Sequence, residues 1–478
     1  MLKTIIGLEI HVQLNTKSKM FCGCDNNAES KEPNTVVCPV CMGYPGTLPV
    51  ANIEAVKKTI KTGLALNCSI PDESKFDRKH YFYPDLPKNF QISQYDQPFC
   101  KNGKLKITKS PNHQITIRIN RVHLEEDAGK LIHPKNAGYS LVDMNRCGTP
   151  LMEVVTEPDI DSPELAKIFL KELRLIIRYL GVSDADMEKG HLRCDANISV
   201  RDEKESSPIV EIKNMNSFRA VEGALSFEEK RLKEDFDELK KEKGKQTRSW
   251  DDEKGETRAM RRKEEASDYR YFPEPDVPPI KVGQGKNEIN LDEIKKGLPK
   301  ILPSEIREKL LNIGVSSHNA EIMVEYPNMD FAYENEQIMN KELANWYVEE
   351  VLIQIKEKGI DYKEYKKRVP VIQVITLLDL VKKGEISNKI AREIFSEMVE
   401  TGKSSDDIIT EKGIKQVSDE GELKRLIEKV IKDNPGPVAD YKKGKTAALG
   451  FLVGQVMKET KGQANPALTN KLLTEMLR

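Results

Sequence analysis

Apolar and polar side chains alternate along residues 4–14. Leu8, Ile10, Val12 and Leu14 fall on one side, and Gly7, Glu9, His11 and Gln13 on the other. A period of two marks a half-buried strand. The same alternation returns at 114–122, 191–201 and 208–214. In 191–201 it puts His191, Arg193, Asp195, Asn197, Ser199 and Arg201 on one face, and Leu192, Cys194, Ala196, Ile198 and Val200 on the other. Two stretches switch to a helical period. "SPELAKIFLKELRLIIRYLGVS" opens on Ser162-Pro163 as cap and first-turn proline and stops at Gly181. A second helix is predicted from a cap at Asn216 or Ser217 to Gly244. The proline cluster "YFPEPDVPPIKV", residues 271–282, reads as an extended segment closing this half of the chain.

Beyond residue 293 the pattern becomes one of amphipathic helices separated by short Gly, Asn or Pro breaks, with a further hinge at 397–413. These patterns predict an α+β fold. A large mixed domain on an antiparallel sheet spans 1–292, a helical domain 293–405 and a small helical tail domain 406–478.

Composition narrows the classes. A formal net charge of −1 gives no chain-wide attraction to nucleic acid. No stretch approaches the roughly eighteen apolar residues of a membrane span. The opening "MLKTIIGLEIHVQL" is too short, and too soon interrupted by Glu9, for a signal peptide. The expected compartment is therefore the reducing cytoplasm, and the eight cysteines are expected to be free thiols or metal ligands. Four of them pair closely, Cys22-x-Cys24 and Cys38-x-x-Cys41, as in a tetrathiolate zinc knuckle. A closed four-ligand site is structural, not catalytic.

The polar strand faces carry the other candidate chemistry. "RVHLEEDAGK" brings Glu125, Glu126 and Asp127 to a strand end, and "PIVEIKNMNSF" adds Glu211 and Lys213 before a helix. Carboxylates with one imidazole suit a hard divalent ion such as Mg²⁺, and neighbouring Arg and Lys suit phosphoryl oxygens. No Walker-type or kinase-type glycine loop is present. Ordinary salt-bridged sheet surfaces are the alternative that spacing alone leaves open. In 441–478, Lys442, Lys443, Lys445, Lys458, Lys461, Lys471 and Arg478 face only Glu459 and Glu475. Such a face is either a solvated helix edge or a grip on RNA phosphates.

The stretches "GLEIHVQL", "CPVCMGYPGTLPVAN", "RKHYFYPDLPKNFQISQYD", "HLEEDAGK", "NRCGTPLMEVVTEPD", "RCDANISVR", "VEIKNMNSF" and "ETRAMRRKEEASDYRYFPEPDVPP" lie in order from 7 to 279. Together they resemble the GatB family, one of the component chains of the tRNA-dependent aspartyl/glutamyl amidotransferases, and "KTAALGFLVGQVMKETKGQANP" is similar to that family's tail. "LPKILPSEIREKL" departs from the family, which more often has an acidic residue between leucine and proline.

The resemblance implies a cradle domain followed by helical and tail domains that hold tRNA. It implies ATP-dependent phosphorylation of the side-chain carboxylate of Glu-tRNA(Gln) and/or Asp-tRNA(Asn), then amidation by ammonia from a partner amidase (glutaminase) subunit. A small third subunit would complete the complex. Carried over by position, Glu9, His11, Glu125, Asp195 and Glu211 form the Mg²⁺ shell, with Glu126 beside Glu125 and Glu153 outside it. Arg193 and Lys213 are placed at phosphate, and Lys79, His80 and Tyr81 at the substrate pocket. Lys442, Lys443 and Lys445 are placed on tRNA, and the knuckle zinc stabilises a loop. The competing readings are a noncatalytic zinc-containing tRNA-binding scaffold, which has no use for acids and a histidine on its strand faces, and a metal-dependent phosphotransferase on small molecules, which leaves the basic tail unexplained.

Overall fold

A computed structural model describes all residues except 1, 29, 111–112, 135–136, 243, 261–268, 327–338, 414–419, 461–463, 465 and 478. It divides into two compact units, Met1–Glu305 and Ile306–Arg478.

The first unit is organised by an eight-stranded sheet. Its strands are Lys3–Gln13 (β1), Cys100–Ser110 (β2), His113–Glu126 (β3), Pro150–Thr156 (β4), Leu192–Arg201 (β5), Val210–Met215 (β6), Gln246–Asp251 (β7) and Glu256–Ala259 (β8). Their order in space is β8-β7-β6-β5-β1-β4-β3-β2. Every pairing is antiparallel except β6 with β7. β1 therefore sits near the centre, between β5 and β4, with its apolar residues Ile6, Leu8, Ile10 and Val12 buried. They join one apolar cluster with helices Ile53–Ala65 (α1), Pro163–Tyr179 (α2) and Phe218–Glu234 (α3). Three helices thus cover the apolar side of the sheet and leave the polar side of β1 free for chemistry.

The helices start where their caps dictate. Ser162 Oγ accepts from Leu165 N at 3.4 Å ahead of Pro163, and Ser217 Oγ accepts from Ala220 N at 3.0 Å. α3 does not run on to Gly244 as the sequence suggests. It stops at Glu234, and a separate turn, Phe236–Leu239, follows. Leu232, Phe236 and Leu239 all join the core across this break at Asp235. The segment 271–282 is extended. Phe272–Pro273 pairs with Asp77–His80, and Ile280–Gly283 with Glu73–Ser74.

The second unit is helical throughout its described residues, with one π-helical turn at Tyr347–Val351. Within 397–413 two left-handed glycines, Gly402 (φ 74°) and Gly413 (φ 60°), each end a helix. Leu423, Ile427, Val430, Leu452, Val456, Leu472 and Leu473 belong to a core made by the last helices alone. No helix among the described residues is long and apolar enough to cross a membrane.

Candidate active site and metal centres

Strand register assembles the site. His11 lies opposite Glu153 on one side and Arg193 on the other, and Glu153 lies opposite His123. Glu125, two residues beyond His123 on β3, shares its face. His11 Nε2 is 3.4 Å from Glu153 Oε2 and 3.7 Å from Glu125 Oε1. His123 Nε2 approaches the same carboxylates at 3.1 and 3.5 Å. Ser93 Oγ donates to Glu125 Oε2 at 2.8 Å. One donor atom each from His11, Glu125 and Glu153 lies within 4.8 Å of the others, which suits one cation bound by two carboxylate oxygens and one imidazole nitrogen.

The electrostatics fit a site built for positive charge. Burial opposes an imidazolium at His11, but the Glu153 and Glu125 carboxylates outweigh it and raise the pKa to about 9. Burial likewise pushes Glu153 up, and His123 and His11 reverse this and hold it well below the usual carboxylate range. Loss of solvent also disfavours charge on Lys79, yet Glu125, the Tyr271 oxygen and Glu153 keep it charged. A divalent ion bound here would replace the His11 proton.

Glu9, Asp195 and Glu211 do not join this group. β1 places Glu9 opposite Val155 on β4 and opposite Asp195 on β5. Asn197 Nδ2 donates to Glu9 Oε1 at 2.9 Å. Lys213 Nζ bonds Asp195 and lies 3.2 Å from Glu211 Oε1, with Lys245 Nζ at 3.3 Å from the same oxygen. Of the five residues expected in one shell, all on one sheet face, His11 and Glu125 lie with the imidazoles, Asp195 and Glu211 meet the Lys213 ammonium, and Glu9 accepts from Asn197. The reason is register: a side chain two residues along a strand is displaced by about 7 Å.

Other expected residues are distributed as follows. Arg193 Nη2 bonds Asp127 Oδ2 at 2.7 Å, and Gln13 Nε2 donates to the same oxygen at 3.2 Å. Gln13 and Arg193 also line a cleft of about 1100 Å³ with Asn26, Asn145, Arg146 and His191. Glu126 points away from Glu125, bonding Lys88 and accepting from Ile92 N at 3.0 Å. Lys79 Nζ lies 5.0 Å from the Tyr269 ring centre, and Tyr81 Oη donates to Gln91 at 3.3 Å. His80 turns aside to stack on Phe272 at 4.9 Å. His123 was not singled out from sequence, although His123 and Glu125 repeat the spacing of Glu9 and His11. Glu153, which the resemblance puts outside the shell, lies in register with both His11 and His123.

Cys22, Cys24, Cys38 and Cys41 bring their sulfurs within 4.8 Å of one another. The Cys38 and Cys41 sulfurs are 3.8 Å apart. A tetrahedral zinc with sulfurs at about 2.3 Å has edges of about 3.8 Å, so the set fits. The Cys22 hydrogen bond to Cys41 lowers the Cys41 thiol to about 5, while that bond and burial raise Cys22. Lys442, Lys443 and Lys445 are exposed around Gly444 (φ 90°), and Lys445 Nζ meets Asp440 at 3.1 Å. Lys461 and Arg478 lie outside the described residues.

Comparison with known families returns matches over both units. The GatB/GatE catalytic domain model matches residues 4–288, and the GatB domain model residues 331–477. The GatB chain of the aspartyl/glutamyl-tRNA(Asn/Gln) amidotransferase of Thermotoga maritima is 49% identical, over 99% of each chain. Its counterpart in Thermodesulfovibrio yellowstonii is 47% identical over 100% of this chain and 99% of its own, and that of Persephonella marina 46% over 99% of each.

Proposed function

Because the chain belongs to the GatB family of the aspartyl/glutamyl-tRNA(Asn/Gln) amidotransferases, we propose that it activates and amidates the side-chain carboxylate of a misacylated tRNA. A carboxylate oxygen of Glu-tRNA(Gln) or Asp-tRNA(Asn) attacks the γ-phosphorus of ATP and ADP leaves, giving an acyl phosphate. Ammonia from a partner amidase subunit then attacks the carbonyl carbon. The C–O bond to phosphate breaks and the nitrogen loses a proton, leaving the amide.

The observation that supports this is the convergence of His11, Glu125 and Glu153 on one sheet face, beside Arg193, which lines the cleft. These three residues would hold the divalent cation, Mg²⁺ in this reading, which when bound offsets the charge of the reacting phosphates. Ser93 and His123 orient the carboxylates. Arg193 and Lys213, each held by a carboxylate, present fixed positive charge to phosphoryl oxygens. Lys79, with Tyr81 beside it, would hold the substrate carboxylate at the edge of the cluster. The zinc knuckle stabilises the loop before α1, a small third subunit completes the assembly, and the exposed lysines at 442–445 meet tRNA phosphates.

The test is amide formation on each misacylated tRNA by the complex reconstituted with its amidase. Glu153→Gln should abolish ATP-dependent turnover and leave tRNA binding intact. Unchanged turnover in that variant would overturn the catalytic reading in favour of a tRNA-binding scaffold.

A further inference from the structure

Among the described residues Lys19 is the only fully buried lysine, with its side chain wholly out of solvent. An ammonium in such a place is strongly unfavourable without an opposing charge. Its Nζ donates to the Val36 carbonyl at 2.7 Å, and no carboxylate among the described residues pairs with it.

What surrounds it is the cysteine knuckle. Val36 lies two residues before Cys38, and Lys19 N donates to Cys24 O at 3.0 Å. Gly148, at φ 85°, sits between the lysine stem and Cys41. A Cβ built there would lie 3.4 Å from Cys41 Cβ and 3.5 Å from Lys19 Cδ. Met20 N fixes that turn through Gly148 O at 2.7 Å. Lys88, another lysine on this side, is bonded to Glu126. Four thiolates around a divalent ion carry a net double negative charge in a partly buried site.

We propose that Lys19 is the built-in counter-cation of the four-cysteine centre, so that its charge, and not its bulk, sets how firmly the knuckle keeps its metal. The inference rests on the knuckle holding zinc. It is independent of the chemistry at His11, Glu125 and Glu153. It also accounts for a fully buried lysine that pairs with no carboxylate among the described residues.

The experiment uses the full-length chain and reads metal directly. Zinc per chain is measured first, and its release to excess chromophoric chelator is followed for wild type, Lys19→Arg, Lys19→Met and Lys19→Gln. The glutamine variant keeps an N–H donor for Val36 without the charge. Cobalt substitution checks by its thiolate absorption that each folded variant retains four sulfur ligands. Lys19→Met and Lys19→Gln should release zinc at least about tenfold faster than wild type, with Lys19→Arg close to wild type. Equal rates in wild type and Lys19→Gln would overturn the proposal. So would equal loss in Lys19→Arg and Lys19→Met, which would assign the effect to packing. A wild-type chain that binds no zinc would remove the metal reading and the proposal with it, leaving the proposed amidation untouched.

Discussion

The two ends of the polar sheet face use the same acids for different ends. Toward β4 and β3, carboxylates meet imidazoles: Glu153 and Glu125 are bracketed by His11 and His123. Toward β5 and β6, Asp195 and Glu211 meet an ammonium from Lys213. An imidazolium gives up its proton to an incoming cation within reach of neutral pH, whereas a lysine held between two carboxylates stays charged. The first end offers donor atoms that suit a metal, whereas at the second the carboxylates already meet an ammonium. Acids on one face therefore do not by themselves identify a shell; the partner they meet does.

Breaking the first end should cost most. Glu153→Gln removes a carboxylate oxygen and the charge that favours protonation of both histidines, and amide formation should fall at least about 100-fold. A steady-state assay on the reconstituted complex measures it. If Glu211→Gln fell equally far, the distinction between the two ends would be lost.

The four-cysteine cluster provides an outside standard, being a proposed metal centre with no proposed part in the reaction. Cys38→Ser should abolish zinc binding and lower the melting temperature by about 5 °C. Turnover per folded molecule should change little. Calorimetry with metal analysis checks both, and a loss as deep as that of Glu153→Gln would merge knuckle and active site.

At the second end, Lys213→Met leaves Glu211 and Asp195 short of a cation and should destabilise the first unit by about 1–2 kcal/mol at pH 7. The pH dependence has a definite sign. Burial works to raise the Glu211 carboxyl, but Lys213 and Lys245 bring it below its ordinary value. The stabilisation is then complete above about pH 4.5 and is lost as pH falls through the lower folded-state pKa. The gap between wild type and Lys213→Met in denaturant melts should narrow over that acid range. A constant gap would mean that the lysine acts through packing.

The smallest effect is expected at the boundary between the two ends. Asn197→Ala removes the donor to Glu9 and should destabilise by about 1 kcal/mol. Urea denaturation at pH 7 checks it. A cost of several kcal/mol would make Glu9 a supporting member of the imidazole end.

Much of this was legible in the residues. The alternation at 4–14 and 191–201 located β1 and β5 to within a residue or two, and Ser162-Pro163 located the start of α2. The end of α3 was not legible, because the charged turns after Arg231 form a helix as readily as a bend until Phe236 finds the core. Of the residues in the imidazole cluster, the chain alone singles out His11 and Glu125, places Glu153 beside them only through the resemblance, and gives no sign of His123.

The four-cysteine centre needed only the chain, because its ligands lie in two close pairs whose spacing is itself the geometry. The sheet cluster did not. Its donors come from strands β1, β3 and β4, brought side by side only by pairing register. A period of two tells which side of its own strand a residue faces. Which residue of another strand it meets is set by how the shared apolar face packs, a property of the whole core.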